Sequence, residues 1–423
     1  MTATSTEPEI ASPRYGERAT TEVAYPPRRS RRIASLDIAR GLAMILMAID
    51  HVRVYSGQPP GGPTPGIFFT RWVTHFVAPA FVFLAGTGAY LYGRKMASAA
   101  TNTSGTRALS RFLFTRGVWL IFLELTVIRV AWTFNFDFAH YLLAGVIWMI
   151  GWCMVIMAAA VYLPVRVIGA IGIAIIALHN VTDLFGGPIG HAFGDSGPNW
   201  LLSILYFGGV VKLGSSGPPL FVLFVIVPWI GVMMAGYAFG RIMEKPVDER
   251  RRICLRLGAA LVLLFVALRA AGVYGDPRSW AAATKHMPSY LAFLATSKYP
   301  ASLEFLLMTL GPMFIAIALA ERWRGRSADV VSTFGRVPFF YYVLHIPTIH
   351  FAACVVSVIR EGSVNPWLFL NHPMAAGEAP AGYMWSLPLL YLVWAVCVTA
   401  LYFPCRWFAR VKSERRSAWL SYL

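Results

Sequence analysis

Charged residues are scarce in this chain: Asp, Glu, Lys and Arg make up 13% of its 423 residues, whereas a soluble domain carries roughly 25%. Hydrophobic residues reach 57%, and the mean hydropathy is +0.58. Because so little polar surface cannot cover a globule in water, an ordinary soluble protein is excluded. The composition predicts a polytopic integral membrane protein of the all-α class, with the lipid bilayer as its main partner.

Cysteine is also rare, and the motifs of nucleotide and metal chemistry are missing. The five cysteines are scattered through apolar stretches without a C-x-x-C pair, which predicts neither a metal site nor a disulfide scaffold. The sequence contains no Walker P-loop, no H-E-x-x-H and no G-x-S-x-G. ATP-driven transport and metalloprotease chemistry therefore find no support.

Ten apolar segments are each close to the ~20 residues that cross a ~30 Å hydrocarbon core. Residues 198–213 are too short and too interrupted by glycine to form a span, and we expect a re-entrant or interfacial helix there. The ten predicted spans are 33–54, 67–92, 110–131, 140–163, 166–184, 218–241, 254–275, 300–321, 333–359 and 384–407.

The basic residues predict the orientation of these spans. An even number of spans places both termini on one side, and 27 of the 37 Lys and Arg residues fall on that side, against nine on the other. Because cytoplasmic loops are enriched in Lys and Arg, both termini are predicted to be cytoplasmic. The same rule accounts for the net charge of +17, so we expect no nucleic-acid partner.

The chain ends are predicted to lie outside the membrane domain. Residues 1–32 are rich in Ser, Thr, Pro, Glu and Arg, a composition typical of a disordered, here basic and cytoplasmic, tail. No small-residue cleavage site follows, so the first span is predicted to be an uncleaved anchor. The membrane domain is predicted at 33–410, followed by a short cytoplasmic tail at 411–423.

Polar residues inside the first span mark a candidate site. At about 100° per residue, Asp37, Arg40 and His51 fall within a stripe of ~60° on one helical face. Asp37 and Arg40 have the i,i+3 spacing of an ion pair, and Asp50 precedes His51 near the outer end. A charge within the bilayer is costly and is functional by default. The alternative is that Arg40 reaches the inner headgroups while Asp50 and His51 lie in the outer interface.

Two more spans carry intramembrane histidines. His75 lies about two turns from the outer end of span two, and His345 lies near the middle of span nine, one turn from Tyr341. A lone buried histidine is more often a hydrogen-bonded core residue than a catalyst. All nine histidines, however, map to the outer half or the middle of the membrane on this topology. Imidazole suits proton transfer near neutral pH, so we infer a polar cavity that opens outward. Within span three, Glu124 and Arg129 are a candidate pair.

Several separated motifs resemble the heparan-alpha-glucosaminide N-acetyltransferase catalytic-domain family. RIASLDIARGL at 32–42 resembles the opening of that family, and RWVTH with FVFLAG within 71–86 resembles its second span. KYPASL and LMTLGP within 298–312, and FGRVP followed by a histidine within 334–345, also fit. WLSYL at 419–423 is similar to the bacterial branch. The resemblance covers roughly residues 31–423.

This resemblance implies an integral-membrane acyltransferase of the bacterial cytoplasmic membrane. The acyl group would come from cytosolic acetyl-CoA or another acyl-CoA, used as a co-substrate with no bound cofactor. The acceptor would be an amino sugar, glycan or lipid-linked sugar on the far side. A second copy of the chain is a further candidate partner, as a homodimer.

The resemblance also gives roles to the candidate residues. His51, with Asp50 or His75, would deprotonate the acceptor, or a histidine would carry the acetyl group transiently. The other residues assigned to binding of the substrate or CoA are Asp37, Arg40, Arg71, Lys298, Tyr341 and His345. The chain departs from the lysosomal members, in which an Asn stands at the position of His51 and the proposed catalytic histidine follows in the next loop. Residues 55–66 contain no histidine.

Two other functions are compatible with the polar residues. The histidines could form the proton relay of a proton-coupled transporter or exporter, which predicts gradient-dependent flux without affinity for CoA. Alternatively, the chain could be a scaffold subunit whose polar residues are structural. In that case, loss of His51 would change assembly only.

Overall fold

The computed structural model describes residues 2, 32–99, 104–184, 200–212, 214 and 217–415. Contacts divide the chain into Met1–Ile33 and Ala34–Leu423, and the second unit holds all the elements below. The tails predicted at 1–32 and 411–423 lie largely outside the described residues.

The helices of the described chain are as follows. They are α1 (Ala34–Tyr55), α2 (Pro65–Trp72), α3 (Val77–Ala99), α4 (Ser104–Leu123), α5 (Arg129–Thr133), α6 (Val146–Ala160), α7 (Val165–Leu178), α8 (Val181–Leu184), α9 (Trp200–Leu202), α10 (Val227–Met243), α11 (Val247–Ala271), α12 (Trp280–Ala283), α13 (Ser289–Leu294), α14 (Leu303–Ala320), α15 (Arg326–Arg336), α16 (Pro338–Glu361) and α17 (Leu387–Glu414). Short 3-10 turns occupy Val73–Phe76 and Pro366–Phe369, and π-helical turns occupy Glu124–Ile128 and Ser203–Phe207.

Helix makes up 73% of the structure, which confirms the helical membrane class. Within the described residues, six helices are long and apolar enough to cross a bilayer: Pro65–Ser98, Val165–Asp183, Val247–Ala271, Leu303–Ala320, Pro338–Glu361 and Leu387–Glu414. Each of the ten predicted spans overlaps a helix, but α6 and α10 have only 15 and 17 residues. The count of ten spans and the side of the termini stay predictions.

A small sheet interrupts the helical pattern where helix was predicted. Among the described residues, β1 (Leu142–Ala144) pairs in parallel with β3 (Pro219–Val222), and β2 (Gly209–Lys212) pairs antiparallel with β3. The starts predicted for the helices at 140 and 218 are therefore wrong, since α6 and α10 begin only after these strands. The helix predicted at 198–213 is confined to α9 and the π turn before β2.

Local chemistry explains where several elements begin. The side chain of Ser302 accepts a hydrogen bond from the N–H of Phe305 at the start of α14, which is the usual role of an N-cap serine. The 3-10 turn Val73–Phe76 precedes Pro79, which has no N–H to bond the carbonyl of His75. This proline therefore separates α2 from α3 and sets the position of His75.

Helix α1 is a central element of the fold. It contacts α2, α3, α14, α15, α16 and α17. Two glycines allow its close crossing with α15. A Cβ on Gly41 would lie 1.9 Å from the carbonyl oxygen of Val331, and a Cβ on Gly335 would lie 1.7 Å from that of Asp37. The motifs at 32–42 and 334–338 therefore pack directly on each other.

The ion pair predicted between Glu124 and Arg129 is wrong. The guanidinium of Arg129 instead donates to the carbonyl oxygens of Tyr141, Asn135 and Asp137. Glu124 is buried and accepts from the backbone N–H of Ile147. The π turn at Glu124–Ile128 changes the helical register between the two residues, so their side chains find separate partners.

Candidate functional site

A cavity of about 840 Å³ lies at the C-terminal end of α1. Met47 and His51 of α1 line it, together with Thr74 of the 3-10 turn Val73–Phe76 and Ala78 of α3. Phe224, just beyond β3, lines the opposite wall. The sheet that the sequence did not predict therefore positions part of the cavity wall.

His51 contacts His345 across the junction of α1 and α16. The Nδ1 atom of His51 lies 2.6 Å from the Nε2 atom of His345, and the ring centroids are 4.8 Å apart with 29° between the ring planes, so the two rings meet edge to edge through these nitrogens. Trp132 meets His51 edge-on, also at 4.8 Å. His345 is fully buried, so only His51 of this pair lines the cavity.

Asp50 lines the same cavity but is bound to arginine. Its Oδ1 atom accepts from the Nε atom of Arg53 at 2.8 Å, and Arg53 also donates to the carbonyl of Gln58. Gln58 in turn donates to the carbonyl of Trp385. Asp50 therefore anchors the loop after α1, and its carboxylate is directed at Arg53 rather than at His51.

Two further cations face the cavity, Arg71 of α2 and Lys298 before α14. Lys298 is 8% exposed, with its Nζ atom 5.2 Å from the ring centre of Tyr299 and 5.9 Å from that of Phe224. Among the described residues, neither cation has a carboxylate within 4.0 Å. Asp50 is paired with Arg53, and Glu378 is the other carboxylate of the lining, so the charged residues of the cavity leave a net charge of +1 that favours an anionic group.

The remaining candidates lie behind or away from the cavity. His75 is absent from its lining; its ring packs 5.5 Å from Phe305, and neither nitrogen has a hydrogen-bond partner in the described chain. The ring of Tyr341 packs against that of His345, with centroids 5.4 Å apart. Asp37 and Arg40 lie 3.4 Å apart at the opposite end of α1, as their i,i+3 spacing predicts.

The connection between α16 and α17 covers the cavity. It is fastened by the phenol of Tyr383, which donates to the carbonyl of Tyr55, and by the backbone N–H of Trp385, which donates to the carbonyl of Ser56. His372 is 2% exposed, and its Nε2 atom lies 3.0 Å from the carbonyl of Trp367. Burial lowers the pKa of His372 from 6.5 to about 4, so this cover is built around a neutral imidazole.

Sequence reasoning missed several of these residues. Trp132, Phe224 and the cover residues 372–374, 376–382 and 384 line the site, although none belongs to the polar stripe of a span. The concentration of Pro, Gly and Ala at 373–382 is the one signal that could have marked the cover as a shaped loop. Among the described residues, no group of three or more His, Cys, Asp or Glu could hold a metal ion.

The apolar helices and the cavity beside His51 define an integral membrane protein with a candidate reaction site at the end of α1. Comparison of the chain with protein families gives a match to the family described as heparan-alpha-glucosaminide N-acetyltransferase, catalytic, over residues 32–274. The match covers more than half of the chain, and the protein belongs to this family of N-acetyltransferases. A comparison with curated proteins gave no match.

Proposed function

We propose that this protein is a membrane-bound acyltransferase that moves an acetyl or other acyl group from cytosolic acyl-CoA to an amino sugar or glycan. The acceptor would lie on the extracytoplasmic side, in the cavity beside His51. The observation that carries the proposal is a histidine that lines a cavity of about 840 Å³ in a chain of an N-acetyltransferase family.

The reaction requires a base and a site for developing negative charge. His51 takes the proton from the acceptor amine or hydroxyl, which attacks the thioester carbonyl. The C–S bond breaks, the new C–N or C–O bond forms, and the thiolate leaves and is protonated. Arg71 and Lys298 stabilise the oxyanion of the tetrahedral intermediate. The alternative route, with the acetyl group carried on a histidine, uses the same residues in two steps.

The donor would enter from the opposite end of α1. Asp37 and Arg40 lie there, and Arg40 also donates to the carbonyl of Leu84. Arg40 and the basic loops on that side attract the phosphates of CoA. Fourteen residues of helical rise separate Asp37 from His51 by roughly 21 Å. The acyl arm of CoA therefore has to extend along α1 to reach the cavity.

The proposal includes ten spans with both termini in the cytoplasm of a bacterial cell, as the distribution of Lys and Arg indicates. Reporter fusions at the loops after Tyr55 and Glu361 test this topology. Both loops contribute to the cavity and should be extracytoplasmic. A cytoplasmic signal from either fusion would refute the orientation and with it the side assigned to the acceptor.

The test of the activity is acetyl-CoA binding and hydrolysis by detergent-purified protein. Wild type should bind acetyl-CoA saturably and cleave it slowly, and His51→Ala and His75→Ala should each lose the cleavage. His140→Ala is the matched control, because His140 is an exposed histidine paired with Asp137 outside the cavity. Folded wild-type protein without affinity for acetyl-CoA would overturn the proposal, and proton-dependent flux would then favour a transporter.

A further inference from the structure

The contact between the two histidines fixes where their protons lie. His345 uses its Nε2 atom for His51 and its Nδ1 atom for the backbone carbonyl of Tyr342, 2.6 Å away. A carbonyl oxygen can only accept, so the Nδ1 atom of His345 must carry hydrogen. In a neutral imidazole the other nitrogen is then an acceptor.

The same argument determines the tautomer of His51. Because the Nε2 atom of neutral His345 accepts, the Nδ1 atom of His51 must donate. His51 is therefore the Nδ1–H tautomer, and its Nε2 atom keeps a free electron pair. That atom makes no hydrogen bond among the described residues, while the residue itself lines the cavity. The pair thus presents a basic nitrogen to whatever occupies the cavity.

Aromatic packing and a buried carboxylate hold His345 in place. The rings of Tyr341 and Tyr342 pack against it at 5.4 and 5.2 Å. The phenol of Tyr342 is hydrogen-bonded to Glu124, which also accepts from the N–H of Ile147. Glu124 therefore anchors the residue whose carbonyl orients His345, and this gives the buried glutamate of the third span a role.

We propose that His345 is a positioning residue that sets the tautomer of His51 and stabilises its charged form; this rests on the proposed acyl transfer. When the Nε2 atom of His51 takes the acceptor proton, the imidazolium keeps its Nδ1–H bond to His345. The positive charge is then shared across an N–H···N contact, and Asp50 stays bound to Arg53. An imidazole occupies the place that a carboxylate takes in a Ser-His-Asp triad.

Kinetics of substituted proteins test this role. We expect His345→Phe to lower kcat by about 100-fold or more with the KM for acetyl-CoA unchanged, because His345 does not reach the cavity. His345→Gln should recover much of the rate, since its amide oxygen can accept from His51. The control is His350→Phe, five residues along α16, where a buried histidine stacks on Tyr55 and Phe134 without contacting His51. A kcat for His345→Phe equal to that of His350→Phe would overturn the proposal.

A measurement independent of activity separates this proposal from the acyltransferase function. Nitrogen-15 NMR of histidine-labelled wild-type protein, with His51 assigned by comparison with His51→Gln, reports which ring nitrogen carries hydrogen. We expect Nδ1–H on His51 in the wild type, and a changed tautomer or an averaged signal in His345→Phe. An Nε2–H tautomer in the wild type would refute the relay even in an active enzyme. The expected tautomer in a protein that cannot bind acetyl-CoA would refute the reaction alone.

Discussion

Removal of Arg269 should strongly destabilise the described fold. It is 2% exposed, and it donates to Glu304 at 2.7 Å and to four backbone carbonyls, those of Arg278, Ala292, Phe293 and Ala295. Arg269→Leu would leave these acceptors unpaired together with a carboxylate that is 3% exposed. Breaking a buried ion pair from one side costs about 3–5 kcal/mol, which corresponds to a fall in melting temperature on the order of 10 °C.

The assay is thermal melting of detergent-purified protein, followed by loss of the monodisperse peak in size-exclusion chromatography. Lys285→Leu removes the same charge from an exposed position in the adjoining loop and should melt with the wild type. Replacing both members of a buried ion pair destabilises a protein far less than replacing one. The double variant Arg269→Leu/Glu304→Leu should therefore have a higher melting temperature than Arg269→Leu. Equal melting of Arg269→Leu and Lys285→Leu would refute the reasoning, as would a double variant no better than the single one.

Two further predictions concern the cover and the crossing of α1 with α15. The pKa of His372 is about 4 in the folded protein and 6.5 when the residue is exposed. Its neutral form therefore contributes about 3 kcal/mol to the stability of the fold above pH 6.5, and this contribution is lost as the pH falls to 4. Hydrogen exchange should show the cover opening in that pH range in the wild type but not in His372→Gln. Gly335→Ala would place a Cβ 1.7 Å from the carbonyl oxygen of Asp37 and should destabilise the protein by about 3 kcal/mol. Gly61→Ala, which meets nothing within 4 Å, should melt as the wild type does; equal melting of the two alanine variants would contradict the overpacking argument.

Sequence alone predicts the features that depend on helical periodicity. The 3.6-residue repeat places Asp37, Arg40 and His51 on one face of α1, and the apolar runs locate a helix in every predicted span. The sheet cannot be predicted from periodicity, because its strands have only three or four residues. In the sequence, such short apolar strands run directly into the apolar helices that follow them, and the hydrophobic periodicity does not distinguish strand from helix.

The pairing of His51 with His345 is beyond such reasoning for another reason. The residues are 294 positions apart, and each histidine has polar neighbours in its own helix that could equally be its partner. For His51 the neighbouring Asp50 looks like the natural one, yet Arg53 lies one turn away on the same helix and binds it. Only the crossing of α1 with the chain around α15 and α16 brings the imidazoles together.

That crossing restricts how the protein can move during a catalytic cycle. Gly41 and Gly335 bring backbone against backbone where α1 meets α15, and only Val337 separates α15 from α16. We therefore expect the helices that carry His51 and His345 to move together. In the proposed reaction, alternation between donor entry and acceptor entry would then come from movement of other parts of the molecule around this pair. The Nε2 atom of His51, the proposed base, would stay in place while access to it changes.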